Sequence, residues 1–200
     1  MAKDDRKQSS VSAKKPSVRS RQLLKKLPDE KQLAKSLESL RHRSHHAIAL
    51  VGVSYLDHAL DYLIRKNTRD LDSSDDNRIF DGAQGGILST FSAKIRITYA
   101  LGWVHANPYK ALLVINDIRN VFAHSLNRAT FSHALIREDC ETLATISFAL
   151  TASSGITTES SGADIYVSIV KELYRSIKLL AEGADEFLGV RMPGKPPPSV

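Results

Sequence analysis

Ile118-Arg119-Asn120-Val121-Phe122-Ala123-His124 sets an obligate cation, an amide and an imidazole inside a run whose apolar residues recur at helical spacing. Projected at 100° per residue, Leu112, Ile115, Ile118 and Phe122 form one apolar stripe, while Asp117, Asn120 and His124 cluster on roughly the opposite face. Arg119 falls at the edge of the stripe. A guanidinium stays charged and binds phosphate or carboxylate through a fork of donors, and an imidazole exchanges protons near neutral pH. The set therefore suits phosphodiester chemistry or anion binding. On an ideal helix Arg119 and His124 stand about 140° apart, so they meet one substrate only if the helix unwinds near Ala123 or a second copy of the chain completes the site. The structural alternative is that Arg119 pairs with an acid while Asn120 and His124 hydrogen-bond neighbouring helices.

The pattern extends outward from this helix. Phe80-Asp81-Gly82, Leu88, Phe91-Ser92-Ala93-Lys94-Ile95, Tyr99-Ala100-Leu101-Gly102, Ile118-Arg119-Asn120 and Phe122-Ala123-His124 together resemble the mannitol operon repressor family over roughly residues 44–150. That resemblance implies an all-helical protein associated with regulating sugar-alcohol uptake and lacking a recognisable DNA-reading motif. The Arg-Asn-x3-His run is also similar to the Arg-x4-His signature of the HEPN superfamily of small, often dimeric helical bundles, many of them metal-independent ribonucleases or toxins. Under that resemblance Arg119, Asn120 and His124 would be catalytic.

Charge is unevenly placed. The chain carries 28 Lys and Arg against 22 Asp and Glu, yet nine of the basic and only two of the acidic residues precede Leu27. Residues 1–26 thus hold +7 and the remainder −1. With five serines and almost nothing apolar before Leu23, this stretch is expected to be a disordered basic arm. Its Lys14, Lys15, Arg19, Arg21, Lys25 and Lys26 suit salt-sensitive contact with nucleic-acid phosphates, or simply keep the chain in solution. A single helical domain is expected over 27–189, and a flexible proline-rich tail over 190–200.

Helices are read from Pro28-Asp29-Glu30 onward through Leu33, Leu37 and Leu40, and from Ala47 to Arg65. Another starts at a Ser89 or Thr90 cap and runs through Ile95, Leu101 and Val104. The motif helix is expected to begin with Asn107 as cap and Pro108 in the first turn. Ala134–Leu150, with Leu135, Leu143, Ile146 and Leu150 on its apolar face, and Asp164–Leu188 complete the set. Residues 67–86, 125–132 and 151–162 read as connections. No strand alternation of useful length appears, so the class is all-α, an irregular bundle of five to seven helices.

Several sites are weighed against their chemistry. His42 and His46 form an i, i+4 pair without a third ligand, so no metal site is expected, and the histidines are placed on a polar face. The aspartates between Arg69 and Asp76 lack the spacing of a calcium loop, and Gly82, Gly85 and Gly86 lack the strand and Gly-Lys-Ser/Thr of a phosphate loop. Cys140 follows Arg137-Glu138-Asp139, whose carboxylates raise a thiol's pKa, and reads as small helix filler. Lys94, inside an apolar helix, needs a snorkelling path or an acid, and Asp117 is the candidate partner in a binding pair. No cofactor is indicated. A single cysteine, no apolar run of 18 or more residues and no apolar leader lead to the expectation of a soluble cytoplasmic protein away from membranes. The first functional reading is a regulatory protein acting on a protein partner. The second is a HEPN-like metal-independent endoribonuclease, homodimeric to bring Arg119 and His124 together. The third is a non-catalytic RNA- or nucleotide-binding module.

Overall fold

The computed structural model describes residues 27–41, 44–69, 71–125, 129–148 and 160–183, with the side chains of 147 and 148 excepted. Among them seven α-helices and one 3-10 turn occur and no strand, which makes the class all-α. The basic arm with Lys14, Lys15, Arg19, Arg21, Lys25 and Lys26, together with His42, Phe187 and the proline-rich tail, lies outside the described residues.

Helix α1, Glu30–Arg41, opens with a reciprocal cap. The Asp29 backbone N–H donates to Gln32 Oε1 at 3.0 Å and the Gln32 N–H to Asp29 Oδ1 at 2.9 Å, satisfying two donors that a helix start leaves free. Leu33 and Leu37 then face inward. Helix α2, His45–Asn67, is capped by Ser44 and buries Ile48, Val53, Leu56, Leu60, Leu63 and Ile64. It is the one described helix long and apolar enough, by length and composition, to cross a membrane. Here it forms the bundle axis, packing against α1, α4 (Phe91–Ala100), α5 (Ala106–His124) and α7 (Gly162–Ala181). Gly52 makes room for α7, because an added Cβ would stand 3.1 Å from Tyr166 Cε1 and 3.4 Å from Val170 Cγ2 of that helix. Tyr166 is fully buried, donates its hydroxyl to the Ala49 carbonyl at 3.0 Å, and has its ionisation pushed up by burial. At the same end of α7, Asp164 in its first turn pairs with Arg41 at the C-terminus of α1, each charge complementing its helix dipole.

Residues 67–86 are not one long connection. Asp72 caps helix α3, Ser73–Phe80, accepting from the Ser74 and Asp75 backbone at 2.8 and 2.9 Å. A tertiary anchor holds this short helix: Arg65 of α2 binds Asp61 at 2.7 Å, pairs with Asp76 of α3, and lies 3.8 Å over the Phe80 ring. Polar composition concealed it, since its stability comes from a cap and a distant cation rather than from an apolar stripe.

Helix α4 uses Thr90 as its cap and stops at Ala100, four residues short of Val104, because Gly102 turns the chain at φ 72. Helix α5 begins one residue before Asn107; the cap position belongs to His105, which makes no side-chain cap bond, while Pro108 sits in the first turn. Helix α6, Ala134–Phe148, turns the expected Leu143 and Ile146 to the core but not Leu135, and Leu150 lies outside the described residues. Ile136, Cys140 and Leu143 are buried, whereas Leu135 is 66% exposed. Phe131 draws the start of this helix to the core through ring contacts of 4.9 Å with Phe122 and 5.1 Å with Tyr166.

Candidate functional site

The motif helix is continuous through His124, the last residue of α5, so nothing unwinds near Ala123. Its apolar stripe is as projected: Leu112, Ile115, Ile118 and Phe122 are buried, Arg119 and Asn120 half-buried, and Asp117 and His124 exposed. Arg119 Nη1 donates to Asn120 Oδ1 at 3.1 Å. Among the described residues no carboxylate pairs with Arg119 and no neighbouring helix bonds His124. Within one chain the helix keeps the two side chains about 140° apart.

Lys94 takes different partners from the one expected. It is 5% exposed, and its Nζ lies 2.9 Å from Asp57 Oδ1 and 3.5 Å from Asp61 Oδ1, both on α2, not beside Asp117. With Arg65 bridging Asp61 and Asp76, three charges on α2, one on α4 and one on α3 make one alternating network. The sequence carried a signal for it: Asp57, Asp61 and Arg65 fall at i, i+4 and i+8 on an otherwise apolar helix.

Asp117 faces α6 instead. The carboxyl of Asp139 is held above its usual range by burial and by the charges of Asp117 and Glu138. One turn from this acidic pair, toward the connection between the two helices, stand Val121 at 45% and Leu135 at 66% exposure. The α5–α6 face thus presents two apolar side chains beside like-charged carboxylates.

His45 and His46 do not lie on a polar face. The His45 ring is 5.4 Å from Phe131 and its Nδ1 accepts the Phe131 N–H at 3.1 Å; His46 meets Phe122 edge-on at 5.1 Å. They fasten the start of α2 to the end of α5. Among the described residues no group of three or more His, Cys, Asp or Glu is placed to hold a metal ion. Cys140 is buried, and desolvation with the neighbouring Asp139 and Glu141 pushes its thiol up to about 12, which suits a packing role and leaves almost no thiolate near neutral pH.

No protein-family model and no curated protein matches the chain. Among solved structures it is similar to a chain of the MtlR–HPr complex from Escherichia coli, at 18% identity and a TM-score of 0.59, covering 75% of this chain and 98% of that one. The fold is MtlR-like, in agreement with the resemblance carried by residues 80–125.

Proposed function

We propose that this chain is a mannitol-repressor-like regulatory protein that works in the cytoplasm by binding another protein rather than by reading DNA bases. The observation that carries this reading is the shared fold with a chain solved in complex with HPr. The α5–α6 face supports it, because exposed Val121 and Leu135 offer apolar anchors and Asp117 with Asp139 offers uncompensated charge to a basic partner. Calorimetric titration of the full chain with purified HPr is the direct test. Micromolar binding is expected, weakened by roughly five- to tenfold or more in Val121→Asp or Leu135→Asp, as for anchors worth over 1 kcal/mol. Absence of any complex at tens of micromolar defeats the reading for this partner.

A second reading is favoured by the guanidinium of Arg119, steadied by Asn120 and unmatched by any carboxylate of the described residues, and by the exposed imidazole of His124. In a metal-independent endoribonuclease His124 would move a proton to or from the ribose 2′-hydroxyl or the leaving oxygen, and Arg119 would stabilise charge developing on phosphorus. The about 140° between them requires a homodimer that sets two motif helices across a twofold axis. His124→Ala is then expected to change stability by less than about 0.5 kcal/mol, as at other exposed positions, and to lower chelator-resistant RNA cleavage by about 100-fold or more. An inactive wild type, or a strict monomer in sedimentation at assay concentration, removes this mechanism.

A further inference from the structure

Helices α4 and α5 form a hairpin whose corner carries Tyr99 and Tyr109 with ring centroids 4.1 Å apart and planes only 14° from parallel. The pair is not core: Tyr99 is 44% exposed and Tyr109 half-buried. From Tyr109, the positions Leu113, Asn116 and Asn120 follow at i+4, i+7 and i+11, so they form one row along α5, each half-buried. From Tyr99, Arg96 and Ser92 lie three and seven residues back and form the bordering row on α4. Where the α5 row ends, Arg119 binds Asn120. The hairpin surface therefore runs from a stacked aromatic pair to a guanidinium about 16 Å away along the helix axis, with amides between.

The charges of this surface are one-sided. Helices α4 and α5 contain Lys94, Arg96, Lys110 and Arg119 against a single acid, Asp117, whose charge is felt by Asp139 of α6. Lys94 is occupied by Asp57 and Asp61, but Arg96, Lys110 and Arg119 have no carboxylate partner among the described residues. Among the described residues the Asn116 side chain has no hydrogen-bond partner and the amide nitrogen of Asn120 no acceptor. Flat aromatic faces, unpaired guanidinia and free amides are the groups that bind the bases, phosphates and base edges of an unpaired strand.

We propose that the surface between α4 and α5 binds single-stranded nucleic acid, with a base stacking on the Tyr99–Tyr109 pair and phosphates meeting Arg96 and Arg119. The span is short enough that a few successive nucleotides cover it. Stacking and phosphate contact need no particular base, so the site is sequence-tolerant. It goes beyond the protein-binding reading and uses a different face of the motif helix from Val121.

The test is fluorescence anisotropy of the full chain with labelled single strands of about ten nucleotides, oligouridylate and oligodeoxythymidylate in separate arms, beside a blunt duplex. Single strands are expected to bind more tightly than the duplex, and a preference for the uridylate identifies the strand as RNA. Tyr99→Leu is expected to weaken binding by about five- to 150-fold, the range for one lost base–aromatic stack. Arg96→Gln and Arg119→Gln are each expected to flatten the log–log salt slope by about 0.7. Arg96 is exposed, so its variant reads the site even if Tyr99→Leu fails to fold. Equal affinity for the duplex, unchanged binding by the folded variants, or no binding to any strand at tens of micromolar overturns the proposal.

Discussion

Lys94→Ala is expected to lower the unfolding free energy by about 3 kcal/mol, the lower end of the 3–5 kcal/mol range for removing one partner from a buried ion pair. The ammonium is buried against Asp57 and Asp61, one turn apart on the same face of α2, so its removal leaves two neighbouring carboxylates of which only Asp61 keeps a cation, Arg65. The lower end applies because the Asp57 side chain is 35% exposed and water can return to it. Arg65 still holds Asp61 and Asp76, so α3 should remain in place while α4 loosens from α2. Urea denaturation followed by circular dichroism measures the loss. A second measurement checks its cause: Lys94→Ala combined with Asp57→Asn should be more stable than Lys94→Ala alone, since the repulsion is gone while Arg65 keeps Asp61. A single variant that loses under about 1 kcal/mol would mean the pair behaves as a surface salt bridge and contributes little.

Phe122→Ala is the other large effect, at about 3–5 kcal/mol. Its ring is 1% exposed and touches Phe131 and His46, and Phe131 in turn touches Tyr166 and His45. Removing it empties the point where α2, α5 and α7 meet the connection before α6. Phe122→Leu keeps most of the volume and should cost less than about 1.5 kcal/mol. The comparison also bears on function, because Phe122 lies inside the Arg119–His124 motif. Activity or binding lost in Phe122→Ala but kept in Phe122→Leu at a temperature where both are folded traces to the position of the motif helix. Equal stability of the two variants would show that the aromatic cluster is loosely packed and that the fold does not depend on it.

The motif helix was largely readable from its own residues. Leu112, Ile115, Ile118 and Phe122 are buried, and Asp117 and His124 are exposed, because periodicity of 3.6 residues is a property of the local chain. The same holds for the all-α class, the Thr90 cap and the long α2, each encoded within a few neighbouring positions. Helix α3 was not readable that way, since an eight-residue polar helix persists through Arg65 reaching across from α2. Nor was the first turn of α6: Leu143 and Ile146 face the core as their spacing implies, but Leu135 and Ile136 are adjacent apolar residues and the position of Phe131 and Tyr166 selects Ile136.

The candidate sites divide along the same line. Which residues carry charge, and that Cys140 sits among acids, is written in the chain. That Lys94 turns to Asp57 and Asp61 rather than Asp117, that His45 and His46 pack on Phe131 and Phe122, and that Tyr99 stacks on Tyr109 are decided only when helices meet. A helix determines which of its own residues share a face, but the partner of that face depends on helix packing. Lys94 and Asp57 are 37 residues apart, and their ion pair exists because the buried apolar faces of α2 and α4 bring those two positions together.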